Sequence, residues 1–370
     1  MKKVSIIFGT RPEAIKLVPV ILELKRNKSF HVNICVTAQH REMLDQVLEI
    51  FSITPDTDLD LMQPNQTLSS LTSNIITSID QYFHEYKPDI VLVQGDTTTV
   101  LAVSLVAFYH KIKVGHVEAG LRTRKKYSPF PEEMNRIITS RIADLHFAPT
   151  EISRDNLLKE GIDKDNIYIT GNTVIDSLFL VKEKVKKLKP TIKGLNNPIE
   201  EFLPFILITG HRRENFGKGF INICEAISEL ASKYEQYNFI YPVHLNPNVQ
   251  LPVNKILGNK RNVFLIEPQS YLPFVSLMIN SKIILTDSGG VQEEAPSLGK
   301  PVLVMRKNTE RPEAVTAGTV KLVGTDKQII FKEVSNLIEN DFEYKKMANA
   351  INPYGDGLAS KRIVDILSKC

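Results

Sequence analysis

Two stretches of this sequence set a glycine and basic side chains directly after a β-branched apolar run. They are Gly9-Thr10-Arg11-Pro12-Glu13-Ala14-Ile15-Lys16 and Gly210-His211-Arg212-Arg213. Arg11 at a helix N-terminus, with Lys16 about a turn further on, suits a phosphate or carboxylate. In Asp287-Ser288-Gly289-Gly290 the glycines let backbone N–H groups approach an anion with no Cβ in the way. A tight turn capped by Asp287 explains that run equally well. Neither opening turn reads G-x-G-x-x-G, and no G-x-x-x-x-G-K-[ST] occurs. Basic side chains and helix ends would then hold phosphates, with no nicotinamide cofactor.

Carboxylates are the sharper signal. Glu118 ends the apolar run of Gly115-His116-Val117-Glu118, where a charge is costly unless partnered. Asp96 follows Gly95 and reads either as chemistry or as a helix cap. Glu132 and Glu133 follow Pro131 at a helix start, which favours negative charge; Glu133 reads mainly as neutralising that end. His211, His244 and Gln269 complete a polar set. No compact His/Asp/Glu ligand set calls for a metal.

Regular elements must carry these groups. Val4–Phe8, Ile90–Val93, Val114–Val117, Phe205–Ile208, Phe239–Val243, Val263–Ile266, Ile283–Thr286 and Val302–Val304 read as buried strands, separated by helical patterns. One such helix carries Ile15, Val18, Ile21 and Leu22 on one side, with a kink expected at Pro19. This alternation predicts an α/β fold with parallel sheets covered on both faces. The strand–Gly–basic–helix opening recurs after about 200 residues, which predicts two doubly wound domains, a size the length of 370 allows. Ligands of such sheets bind beyond the carboxyl ends of the strands, so the chemistry is expected in a cleft between the domains.

Composition narrows the class. A net charge of +4 from 46 basic and 42 acidic residues argues against a nucleic-acid partner. The one dense basic stretch, Lys182–Lys193, reads as a solvated helix face near a junction. Cys35, Cys224 and Cys370 form no disulfide or metal pattern. No apolar stretch reaches the ~20 residues of a membrane span, and the opening apolar run is too short for a signal peptide. A cytoplasmic location is expected.

The motifs together resemble the bacterial non-hydrolysing UDP-N-acetylglucosamine 2-epimerases. The resemblance is carried by Gly9–Lys16, Gly95–Thr99, Gly115–Arg122, Pro131–Arg136, Gly210–Asn215, Asp287–Pro301, Glu310–Glu313 and Asn352–Gly357, in order and nearly end to end. It implies the glycosyltransferase-B architecture, two facing Rossmann-like domains over 1–175 plus 356–370 and 176–355, the final helix returning to the first. It implies inversion at C2 between UDP-N-acetylglucosamine and UDP-N-acetylmannosamine, through 2-acetamidoglucal and free UDP, without a cofactor and in a homodimer, for surface polysaccharide synthesis. By motif, Asp96, Glu118, Glu132 and His211 match catalytic positions; which group takes the C2 proton and which returns it stays open. Arg11, Lys16, Gln269, Phe274, Ser288, Gly289, Gly290, Glu294 and Arg311 match UDP-holding positions. Some relatives bind a second substrate as activator, and Gln39, Gln66, Glu132, Arg212 and His244 resemble its lining. Glu42 and Asn65 stand where those relatives have Gln and Arg, and losing the Arg–anion contact weakens that site. The alternatives are a UDP-sugar glycosyltransferase of the same fold, a hydrolysing epimerase, and a non-catalytic sugar-nucleotide sensor.

Overall fold

The structure is a computed structural model that describes residues 1–38, 41–61 and 66–370. The chain divides into two compact units, Met1–Ser177 with Tyr354–Cys370, and Leu178–Pro353.

In the first unit seven strands form one parallel sheet: β1 (Lys2–Phe8), β2 (Phe30–Val36), β3 (Thr57–Asp58), β4 (Ile90–Gln94), β5 (Lys113–Val117), β6 (Leu145–Ala148) and β7 (Ile167–Ile169). Their spatial order is β3-β2-β1-β4-β5-β6-β7. Val4, Ile6, Ile7 and Phe8 of β1 are wholly buried, as a strand covered on both faces requires; each such side chain contributes about 2 kcal/mol by leaving water. The order reverses between β1 and β4, so the loops after these strands open onto the switch point.

The second unit repeats the plan with β8 (Phe205–Thr209), β9 (Asn238–Pro242), β10 (Val263–Ile266), β11 (Ile283–Thr286), β12 (Val302–Val304) and β13 (Val320–Leu322). The order β10-β9-β8-β11-β12-β13, all parallel, puts the reversal between β8 and β11. Phe220, Ile223, Ile227 and Leu230 from the helix after β8 pack on Ile206, Ile208 and Tyr241, the helical spacing read from the sequence.

The expected kink at Pro19 is not a break. The Arg11–Arg26 helix runs through Pro19, and the Ile15 carbonyl that Pro19 cannot serve accepts the Ser177 hydroxyl instead. The C-terminal Ala359–Leu367 helix packs on the Arg11–Arg26 helix. Buried Asp176 caps it, accepting the backbone N–H of Ser360 at 2.8 Å and of Ala359 at 3.3 Å. Burial still lifts the Asp176 carboxyl above its ordinary range. The lysines at 182, 186 and 187 lie along the Thr173–Leu188 helix, the last two exposed, as a solvated face. No described helix is long and apolar enough to cross a membrane.

Candidate active site

Glu118 sits just beyond the end of β5 with φ at +64°, a left-handed conformation uncommon for a residue with a side chain and frequent at functional sites. Its carboxylate is buried and held by partners from three other parts of the unit. Lys16 Nζ from the helix after β1 is 2.5 Å from Oε1. The Asn172 amide donates to the same oxygen at 2.9 Å. The Gln94 amide, at the end of β4, donates to Oε2. Gly95 beside this carboxylate has φ +80°, a left-handed turn that glycine adopts without steric cost.

Beneath Glu118, His116 is fully buried, with Nε2 2.7 Å from the Gly95 carbonyl. Burial pushes its pKa down to about 3, so the ring is neutral and holds the Gly95–Asp96 turn as a donor. Asp96 is not the helix cap; Thr97 is, accepting from Val100 N–H. The freed Asp96 carboxylate pairs with Arg136, and its carbonyl accepts the Asn135 amide at 2.9 Å. Glu133 is structural. Wholly buried, it accepts the backbone N–H of Thr123 and Arg124 and pairs with Arg136.

Glu132, its neighbour on the first turn of the same helix, is different. One carboxylate oxygen, Oε2, is buried and accepts no hydrogen bond. Such an oxygen costs about 1–3 kcal/mol, a cost expected where an acceptor is kept for a ligand. Arg11, half-buried at the head of the Arg11–Arg26 helix, stands beside Thr10, whose N–H and hydroxyl are both held by buried Glu13.

In the second unit the organising group is Asp287, after β11. It is wholly buried and does not cap a helix; Ser288 holds that place. Asp287 Oδ2 accepts the backbone N–H groups of His211 and Arg212, each at 2.8 Å, and the Asn215 amide at 3.3 Å. Oδ1 lies 3.3 Å from His211 Nδ1. The β8–β11 pairing, Thr209 beside Thr286, brings these two loops side by side. The His211 ring stacks on His244 with centroids 5.5 Å apart. Burial holds the His211 pKa below its usual value; Asp287 opposes that, while Arg212 and His244 reinforce it. Arg212 Nε is buried with no acceptor.

The Ser288-Gly289-Gly290 turn lies under a guanidinium. A Cβ on Gly289 would come within 2.9 Å of Arg311 Nη1, so only glycine admits this approach. Glu293 fixes Arg311, accepting from Nε at 2.6 Å. Glu294 is buried and accepts the Tyr271 hydroxyl at 2.6 Å. Glu310 is gripped by both terminal nitrogens of Arg306; burial works against its charge, but Arg306 prevails and the pKa falls to about 2. Phe274 is half-buried where Leu277 and Met278 are fully so. Gln269 is engaged locally, donating to the carbonyls of Lys193 and Glu267.

The fold thus gathers Lys16 and Glu118 in the first unit, and His211, Arg212 and His244 in the second. It gathers Ser288, Gly289 and Arg311 there too. Of the residues matched to an activator site, Gln39 lies outside the described residues, as does Asn65, and Gln66 carries a buried Oε1 without a partner. Gln94, Arg136, Asn172 and Asp287 were not singled out by sequence as site residues. Arg136 and Asp287 lie inside quoted motifs; Gln94 and Asn172 carry no signal of their own. The sequence shows no compact metal ligand set, but folding brings Asp80, His84 and His110 together on the surface.

Residues 22–368 match the family described as UDP-N-acetylglucosamine 2-epimerase. The chain is 57% identical over 368 residues to the Escherichia coli K12 UDP-N-acetylglucosamine 2-epimerase, covering 99% of this chain and 98% of that one. A crystal structure of the Neisseria meningitidis enzyme bound to UDP-GlcNAc superposes with a TM-score of 0.89 at 56% identity, covering all of both chains. The S. aureus MnaA co-structure with UDP gives 0.86 at 47% identity, covering 100% of this chain and 96% of that one.

Proposed function

The chain belongs to the UDP-N-acetylglucosamine 2-epimerase family, and from that premise we propose how its residues interconvert UDP-N-acetylglucosamine and UDP-N-acetylmannosamine. It is an isomerase. A C2 hydrogen beside an acetamido group is not acidic while UDP stays on C1. As the C1–O bond breaks, positive charge spreads over the ring and the C2 proton becomes acidic. A base removes it, leaving 2-acetamidoglucal and UDP. UDP then adds back to C1 while a proton reaches the opposite face of C2. Acid/base groups and a neutralised leaving group are both required.

The observation that carries this reading is the Glu118 cluster: a buried carboxylate at a strained strand end, held by an ammonium and two amides. Glu118, Asp96 and Glu132 are the proposed acid/base groups of the first unit, and His211 that of the second. In the second unit Arg311 over Gly289 and Ser288 fits a diphosphate; in the first, Arg11 and Lys16 are the basic groups proposed to face an anion. Glu294, with its neighbour Tyr271, fits ribose hydroxyls; Phe274 offers a ring face for uracil, and Gln269 a polar edge. Buried Oε2 of Glu132 and Oε1 of Gln66 in the first unit, and buried Nε of Arg212 in the second, are unpaired and fit groups awaiting a ligand; these and His244 are each a proposed contact for a second, activating substrate. The same premise extends to a homodimer and a cytoplasmic location.

The test is product identity. Incubated with UDP-N-acetylglucosamine alone, the protein is expected to yield UDP-N-acetylmannosamine by proton NMR, with the nucleotide still attached. Free N-acetylmannosamine with stoichiometric UDP would instead make it a hydrolase, and sugar transfer to an added acceptor would make it a glycosyltransferase.

A further inference from the structure

Asp80 and His84 stand one turn apart on the Leu68–Tyr86 helix, and side chains at that spacing share a face. His110 caps the C-terminus of the Thr98–Tyr109 helix, which packs beside it. His110 Nε2 lies 2.7 Å from Asp80 Oδ1, and His84 Nε2 lies 3.8 Å from Asp80 Oδ2. The two imidazoles meet edge to face with centroids 4.7 Å apart. One donor atom from each of the three residues falls within 4.8 Å of the others.

A surface ion pair needs only two of these groups. Two imidazole nitrogens and a carboxylate oxygen are the donor set of zinc sites, with bonds of about 2.0–2.2 Å. A tetrahedral ion with such bonds spaces its donors about 3.4 Å apart, between the two separations seen here. The local field also favours a cation. His84 lies in the last turn of its helix and His110 closes the other, so two carbonyl ends converge on the cluster. Neither last turn carries a lysine or arginine. These helix ends lead into the starts of β4 and β5, so the cluster lies at the amino ends of the strands, opposite the carboxyl ends that lead to Asp96 and Glu118.

We propose that Asp80, His84 and His110 form a surface site for a divalent metal of the Zn2+ class, which clips the two helices together. Three protein ligands leave the fourth position to water.

The test is titration of chelator-stripped full-length protein with Zn2+ against a chromophoric competitor. Wild type is expected to bind one equivalent, and His84→Ala and Asp80→Asn each to weaken that binding at least about tenfold. His84 is mostly exposed, so its loss leaves the fold intact. Zn2+ should raise the thermal midpoint of wild type and not of His84→Ala, because a ligand held only by the folded chain stabilises it. Equal affinity and equal midpoint shifts in wild type and His84→Ala would overturn the proposal. So would binding lost only on replacing His211 or His244, which would assign the ion to that stacked pair.

Discussion

Glu118→Gln is expected to lower kcat about a thousandfold while UDP affinity changes far less. The substitution keeps size and shape but removes the proton-accepting oxygen. It also turns an NH2 group toward Lys16, Asn172 or Gln94, all of which donate to the carboxylate in the native site. Gln94 and Asn172 gain nothing from the swap, so the defect belongs to the chemistry and to the hold on Lys16. UDP binding is the control: of the proposed UDP contacts only Lys16 is paired with Glu118, while Ser288, Gly289, Glu294 and Arg311 lie in the other unit. Steady-state kinetics with calorimetric UDP titration separates the two. Near-normal turnover would remove Glu118 from the acid/base set.

Asp287 should matter as much for stability. Asp287→Ala strips the acceptor from two backbone N–H groups in a site that is wholly buried. At about 1–3 kcal/mol for each donor left unpaired, the second unit should lose about 4 kcal/mol in urea unfolding. Asp287→Asn separates scaffold from charge, because its carbonyl oxygen can still face both N–H groups. Its expected signature is a shift at His211. Burial already holds the His211 pKa low, and Asp287 is the group that opposes this. Neutralising Asp287 therefore moves the imidazole midpoint further down, and any limb of the pH–rate profile set by His211 moves to lower pH with it. An unmoved His211 midpoint in NMR titration would show that Asp287 acts only through the backbone.

How much of this was legible in the sequence differs by element. Strands read from β-branched apolar runs, such as Val263–Ile266, Ile283–Thr286 and Val302–Val304, stand where they were expected. Those overlooked are of another kind. In β2, Phe30–Val36, His31 and Asn33 interrupt the apolar run; β7 and β13 are three-residue strands at the sheet edges, where a half-exposed strand needs little apolar pattern. Candidate site residues could be named from the sequence where a costly type sat at a strand end, as with Glu118, or where long motifs carried the resemblance. Their partners were not. Asp287 looked like a helix cap because its real partners, the N–H groups of His211 and Arg212, are 76 and 75 residues away in sequence and meet it only through β8–β11 pairing. The Asp80, His84 and His110 cluster was hidden likewise: the first two show helical spacing, but the third arrives from the next helix.

On the proposed mechanism the C2 proton is lost and replaced while UDP leaves and returns. Running the reaction in heavy water and reading C2 of the isolated product by NMR tests it most directly. UDP-N-acetylmannosamine carrying deuterium at C2 is expected, with no nicotinamide added. Product that keeps its original hydrogen at C2 would contradict it.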